Sequence, residues 1–376
     1  MQDFDVCFIG IVPLKTDARM LNMLRTLVAA GKSVCCIAFG EESERAEFLK
    51  EGITFFPVKD ISPVRAWKLW IHFLKSAGSF KKEISANNYV AADIFCLPLA
   101  RNFSQFHSLK SFKRKFFYDA REIYSALGSL AKNPLKQKFF TLFEKFHVKS
   151  CDGIITSGEL DTDYLQKHFL LKIRPTVYLN VPPFKNPVSS NIIREKFILK
   201  DTTKILLYQG MISAGRGLIP AVRSLPFLKD SVLCIIGDGD FKSEIVKEAE
   251  LLKVSERVIF AGRIPYDELH AWTCAADAGL SFIEPISLSY EFALPNKLFE
   301  YTMAGIPSLV SDLPALKNVL KDYKIGEVIS ANATPEETAQ AIEKLFKNKS
   351  VYADECARAA KVFCREAQSE ILLKFF

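Results

Sequence analysis

Short apolar runs alternate with amphipathic stretches along this chain, the pattern of parallel strands buried on both faces and separated by covering helices. In the first half, Asp5–Val12 reads as a strand, Asp17–Ala30 as a helix stopped by Gly31, and Ser33–Phe39 as the next strand. A helix follows around Pro63–Lys81, a strand at Lys115–Asp119, a helix around Leu135–Lys149, and strands at Gly153–Ser157 and Thr176–Asn180. Three prolines in Val181–Pro187 remove backbone donors and break the pattern. A second alternating run has strands at Lys204–Gln209, Val232–Ile236, Arg257–Ala261, Ala278–Phe282 and Ile306–Ser311. Its helices are Phe241–Leu252, Pro265–Ala275 and Asn296–Ala304, and from Pro335 the chain is helical almost to its end. The expected fold is therefore α/β, with two Rossmann-like parallel-sheet domains facing across a cleft, where such sheets bind ligands. The expected boundaries are residues 1–181, a linker at 182–190, a second domain at 191–347, and a C-terminal helix at 348–376.

Composition changes this picture little. A length of 376 residues suits two domains, and 49% apolar with 25% charged residues is ordinary for a globular protein. No signal peptide is expected at the N-terminus, because the apolar run Phe4–Pro13 lacks a basic flank and cleavage site. The longest apolar runs are too short to span a bilayer. The nine cysteines have no framework spacing and read as buried thiols in a reducing compartment, and the five histidines are scattered, so no metal ligand set is evident.

Charge is more informative. Residues 101–150 hold eleven Lys or Arg against three acidic residues, an excess of +8 that accounts for the whole net charge of +7. The same segment carries nine phenylalanines, among them Phe112, Phe116, Phe117, Phe139, Phe140, Phe143 and Phe146. Two readings stand side by side: a Phe-rich core under a solvated basic face, or contact with the inner surface of a membrane. Nucleic acid is disfavoured, because the excess is confined to this one segment.

The candidate chemistry lies mainly in the second half. Gly210 to Gly217 follows a strand and precedes a helix, so its amides and Arg216 form a candidate diphosphate site; a glycine turn beside a surface arginine is the plainer alternative. No Gly-Lys-Ser/Thr closes the loop, which excludes a Walker A motif. Gly237-Asp238-Gly239 follows the next strand, but Lys242 stands where a dinucleotide fingerprint needs its third glycine. Farther on, a polar loop beginning at Glu284 enters a helix near Asn296, a candidate N-cap. Lys297 and Glu300 share one face of that helix, either as phosphate and ribose ligands or as an exposed ion pair.

The ordered set Tyr208-Gln209-Gly210…Gly215-Arg216-Gly217, Ile235-Ile236-Gly237-Asp238-Gly239, Gly262-Arg263-Ile264-Pro265 and Leu294-Pro295-Asn296-Lys297-Leu298-Phe299-Glu300 resembles glycosyltransferase family 4 and its close relatives. The match is strongest over 204–345. The resemblance implies GT-B architecture, in which the C-terminal helix at 348–376 packs back on the first domain (a free membrane anchor is the competing reading of that helix). It also implies a retaining, hexosyltransferase-type reaction without an essential metal or other cofactor, using a nucleotide-sugar donor, UDP- or GDP-linked. It implies Glu300 on the ribose, Arg216 on the diphosphate, and Gly262 and Arg263 near the base. Gly210, Gly215, Gly237, Gly239, Glu291, Leu294, Asn296, Lys297 and Leu298 complete the donor side. Two departures stand out: Phe292 occupies the place of the family's first glutamate, one residue from Glu291, and Met211 stands where an early basic residue is usual. Lys297 is the candidate replacement for that missing charge.

In the first half, Asp17 and Arg19 follow the first strand, and Tyr118-Asp119-Ala120-Arg121-Glu122 follows a later one. This second segment resembles a family stretch that commonly has histidine at Arg121. The expectation places Asp119 and Arg121 in catalysis together with Arg216 and Lys297, and Asp17, Arg19 and Glu122 on the acceptor or sugar side. The acceptor expected is a carbohydrate or lipid-linked molecule, at a cytoplasmic location or peripherally on the cytoplasmic membrane face. Two alternatives remain: a GT-B nucleotide-sugar epimerase, and a catalytically silent scaffold that binds nucleotide or membrane.

Overall fold

The computed structural model describes residues 1–108, 113–127 and 133–376. Phe112 therefore lies outside the described residues. The chain forms two compact units, Met1–Asn180 with Gln368–Phe376, and Val181–Ala367.

Unit 1 is built on seven strands: β1 Gln2–Pro13, β2 Val34–Phe39, β3 Ile53–Val58, β4 Ile84–Ala91, β5 Lys115–Ala120, β6 Gly153–Thr156 and β7 Thr176–Val177. Their order is β3-β2-β1-β4-β5-β6-β7, and all pairings are parallel. Alternate side chains of β1 serve opposite faces: Cys7 and Ile9 join Phe73, Tyr89 and Tyr118, whereas Val6 and Phe8 join Met20, Leu24 and Phe55. Two of these strands, β3 and β4, are absent from the sequence expectation, and β7 has two residues where five were expected. Helix Ala18–Ala29 leaves β1 with Asp17 as its N-cap, the carboxylate accepting from Met20 N–H at 3.0 Å. The last helix, Arg365–Phe375, brings Ile371, Leu372, Phe375 and Phe376 onto the face that holds Phe8 and Phe117.

Unit 2 has six parallel strands: β8 Lys204–Gln209, β9 Ser231–Ile236, β10 Val258–Gly262, β11 Ala278–Ser281, β12 Ser308–Ser311 and β13 Gly326–Ile329, in the order β10-β9-β8-β11-β12-β13. The chain leaves β8 on one side for β9 and β10, then crosses to β11 on the other. That reversal opens a crevice at the carboxyl ends of β8 and β11, the usual ligand position in such sheets. Helix Asn296–Met303 follows β11 after the polar loop, and Pro295, not Asn296, occupies its N-cap. Asn296 is its first residue, so the expected side-chain cap is absent. Among the described residues no helix is long and apolar enough to cross a membrane.

Candidate functional site

The carboxyl end of β8 in unit 2 is held from below. Tyr301 Oη donates to the Leu207 carbonyl at 3.0 Å and accepts from Gln209 N–H at 3.1 Å. The Gln209 side chain is thereby aimed at the helix Asn296–Met303. Its Nε2 donates to Glu300 Oε2, and its Oε1 lies 3.0 Å from the Thr273 hydroxyl. Burial raises the Glu300 carboxyl above its ordinary range; the Gln209 amide and the charge of Lys297 oppose that rise. Glu300 also lines a small pocket with Pro182, Tyr266, Leu269, Thr273 and Met303. One carboxylate oxygen is thus used for positioning, and the other is left to accept from a diol.

Lys297 is the least expected feature. It is only 7% exposed, its ammonium sits 3.7 Å from the centre of the Tyr208 ring, and its Nζ has no hydrogen-bond partner. Burial first, and the positive charge of Arg216 second, push its pKa well below that of an ordinary lysine. A desolvated ammonium without an anion is costly. The ring quadrupole offsets only part of that cost. Arg216 is half-buried, with its guanidinium 4.9 Å over the Tyr290 ring. Two cations side by side, neither ion-paired with a carboxylate among the described residues, describe a place for a polyanion.

The glycines divide in role. A Cβ on Gly237 would lie 1.9 Å from the Gly210 carbonyl oxygen, and one on Gly239 2.1 Å from that of Ile212. These two glycines let the loops after β8 and β9 lie backbone to backbone, joined by Ile212 N–H to the Asp238 carbonyl at 3.0 Å. Gly215 accepts from Glu284 N–H at 3.0 Å, tying the Arg216 loop to the polar loop after β11. Gly262 receives the Gly237 N–H at 2.8 Å, and Arg263 is exposed, 3.7 Å from Asp238. Leu298 is fully buried beside Ile283 and Val310, and its amide is bonded to the Pro295 carbonyl, so this residue has no group left for a ligand. Leu294 packs on the same cluster. Glu291 is half-buried at the end of the short helix Leu288–Glu291. Tyr208, Gln209, Thr273 and Tyr290 were missed as site residues. The signal for Gln209 was a polar residue closing an apolar strand.

In unit 1, four of the expected residues form one charge network at the carboxyl ends of β1 and β5. Asp119 is fully buried and takes two hydrogen bonds from Arg19 Nε, at 3.0 and 3.1 Å, and one from its Nη2 at 2.8 Å. Arg19 also donates to the Tyr178 carbonyl at 2.7 Å. Buried and committed in this way, Arg19 supports Asp119 and does not face a ligand, contrary to expectation. Arg121 bonds Asp119 at 2.9 Å and Asp17 at 2.5 Å, while its Nη2 is buried with no partner. Burial pushes the Asp119 carboxyl up, but Arg19 and Arg121 outweigh it and hold the group below its ordinary value. Burial likewise lowers Arg121, and Asp17 and Asp119 more than reverse that. Glu122 is exposed beside them.

Residues 189–363 match the family model described as glycosyl transferases group 1. Alpha-monoglucosyldiacylglycerol synthase of Streptococcus pneumoniae (strain ATCC BAA-255 / R6) is 26% identical in an alignment of 188 residues that covers 46% of this chain and 41% of that protein. The chain thus spans less than half the length of this curated relative. Sucrose-phosphate synthase (tll1590) from Thermosynechococcus elongatus has a similar structure, with a TM-score of 0.75 at 15% identity over 99% of this chain and 98% of that one. Anabaena Alr3699/HepE in complex with UDP-glucose gives 0.74 at 12% identity over 99% of both chains. WaaG, a glycosyltransferase involved in lipopolysaccharide biosynthesis, gives 0.72 at 17% identity over 98% of this chain and 99% of that one. At these identities the likeness is one of fold: two Rossmann-like parallel-sheet domains, as in GT-B enzymes.

Proposed function

We propose that this protein is a retaining glycosyltransferase, of family 4 or a close relative, that moves a hexosyl group from a UDP- or GDP-sugar to a carbohydrate or lipid-linked acceptor. The observation that carries the reading is the buried, unpartnered Lys297 ammonium beside Arg216, one helical turn from Glu300. A nucleoside diphosphate satisfies all three: its phosphates pair with Lys297 and Arg216, and its ribose hydroxyls donate to Glu300. The match of residues 189–363 to a glycosyltransferase model supports the same reading. The UDP-glucose held by the Anabaena structure favours a uridine donor, and the name of the pneumococcal relative favours a lipid acceptor.

In the reaction proposed, the bond between the anomeric carbon and the diphosphate oxygen breaks, and the acceptor hydroxyl oxygen bonds that carbon from the same face. The hydroxyl proton passes to the departing diphosphate. Negative charge grows on the leaving group as the bond breaks, so Lys297 and Arg216 stabilise the transition state more than the bound donor. In this proposal they supply the charge without a metal ion. Acceptor and sugar recognition is assigned to unit 1, where Arg121 keeps an unused donor.

Titration calorimetry with UDP-, GDP-, ADP- and CMP-sugars, followed by NMR of the product's anomeric configuration, tests the proposal. Binding of one nucleotide class, transfer that survives EDTA, and retained configuration are expected. An inverted product overturns the mechanism, and the absence of any nucleotide-sugar affinity overturns the function.

A further inference from the structure

Two helices of unit 1 present a large apolar surface to solvent. On helix Pro134–Val148, Leu135, Phe139, Leu142 and Phe146 recur at spacings of four, three and four residues, so they share one face. On helix Ala66–Ser79, Trp67 and Ile71 are one turn apart. All six are exposed, from 41% for Ile71 to 83% for Leu135. The helices meet through Trp70 and Phe143, whose ring centres are 6.0 Å apart. Their far sides enter the core, where Phe73, Ala77, His147 and Val148 are buried. The exposed residues therefore form one ridge on a rigid base.

Charge on the ridge has a single sign. Lys68 and Lys75 flank Trp67 and Ile71, and Lys136, Lys138, Lys145 and Lys149 flank the phenylalanine face. None of these lysines is ion-paired among the described residues. The two helices contain one carboxylate, Glu144, and it is fully buried. Large apolar side chains rimmed only by cations suit a sheet of anionic headgroups over hydrocarbon. A protein partner would need an apolar patch ringed by acids, whereas an anionic bilayer offers both at every point.

We propose that this two-helix ridge docks the protein on a bilayer containing anionic phospholipid. The footprint differs from the basic Phe-rich segment read in the sequence. Phe103, Phe116 and Phe117 are core residues, and Trp67 and Ile71 come from outside that segment. The ridge is also wired to the sheet end that carries Arg121: Trp70 Nε1 donates to the Phe95 carbonyl at 2.8 Å, and Gln137 Nε2 to the Ser125 carbonyl at 2.6 Å. Docking thus holds the Arg121 end of unit 1 close to the headgroups, where a lipid-linked acceptor resides. This last step rests on the proposed acceptor class; the docking itself does not.

The test is co-sedimentation of the full chain with phosphatidylcholine vesicles and with vesicles that also contain phosphatidylglycerol. Wild-type protein is expected to bind the anionic vesicles, and binding should weaken as salt rises. The surface triple variant Trp67→Ser, Phe139→Ser, Phe146→Ser should lose at least about tenfold in vesicle affinity. The circular dichroism spectrum and urea midpoint of the same variant should match those of wild type, which shows that unit 1, where all three substitutions lie, is folded. Lys136→Gln with Lys138→Gln should flatten the salt dependence. Equal vesicle binding by wild type and the triple variant overturns the proposal. So does a concentration-dependent dimer, seen by light scattering, that the triple variant abolishes. Wild-type protein that binds anionic vesicles but no nucleotide-sugar counts against the transferase reading alone.

Discussion

Replacing Lys297 with methionine should stabilise the unliganded protein and cripple donor binding. Methionine keeps nearly the same length and volume, so the packing on Tyr208 survives. What goes is an ammonium with no hydrogen-bond partner at a site 7% exposed. A buried unpaired charge costs several kcal/mol, and the cation–π contact returns about 2 kcal/mol, so the apo protein should gain about 1–3 kcal/mol. For a unit of this size that is a rise of about 2–10 °C in Tm. With donor present the sign reverses. One ammonium about 4 Å from a phosphate, at an effective dielectric near 20, contributes about 4 kcal/mol. That is roughly a thousandfold in Kd. The lowered pKa of Lys297 adds a signature. The folded state binds fewer protons than the unfolded one between the depressed pKa and 10.5, so wild-type apo stability rises with pH across that window. The variant loses this slope. Calorimetric melting of apo protein and titration with UDP-glucose or GDP-glucose measure both effects. A variant that melts lower than wild type and binds donor within about twofold of it would refute the reasoning, because Lys297 would then be a structural lysine.

Other outcomes follow from the same geometry. Glu300→Gln keeps the shape but loses a charged acceptor, and should raise Kd for the nucleotide about 10- to 100-fold in calorimetry. Arg19→Met leaves the Asp119 carboxylate buried without its main partner, and should destabilise unit 1 by about 3–5 kcal/mol in urea unfolding. Nucleotide affinity should be unaffected, since every residue of the proposed donor site lies in unit 2. Glu144 is fully buried, and burial pushes its pKa up to about 7, against the Tyr118 hydroxyl that opposes it. The folded state then holds a proton the unfolded state has lost, so stability is full below about pH 4.5 and falls as pH rises through 7, by about 3 kcal/mol in all. Glu144→Gln should flatten that decline in unfolding series run from pH 5 to 9.

The alternation of apolar runs and amphipathic stretches determined the fold class, because a parallel sheet covered on both faces leaves near-continuous apolar strands in the sequence. It was weakest where burial does not look apolar. Central strand β4 carries Asn87 and Asn88, and Asn88 is used to bond the Asp5 carbonyl of its neighbour. Strand β3 contains Pro57, which an edge position tolerates and a sequence pattern marks as a break. The order of glycines, Arg216, Lys297 and Glu300 was likewise legible, since close backbone approach requires glycine and the proposed anionic ligand calls for the charged residues. Their roles were not. Only the tertiary structure showed that Gly237 and Gly239 serve loop-to-loop contact, because the opposing carbonyls come from residues after another strand. Only it placed Arg19 against Asp119, a hundred positions away, and turned an expected ligand into a buried support. Lys297 is the sharpest case: sequence supplies a cation on a helix face, but whether it is solvated or desolvated depends on Tyr208, brought to it by a strand almost ninety residues earlier. Desolvation sets both the depressed pKa and the demand for an anion, and it is a property of packing that no local pattern encodes.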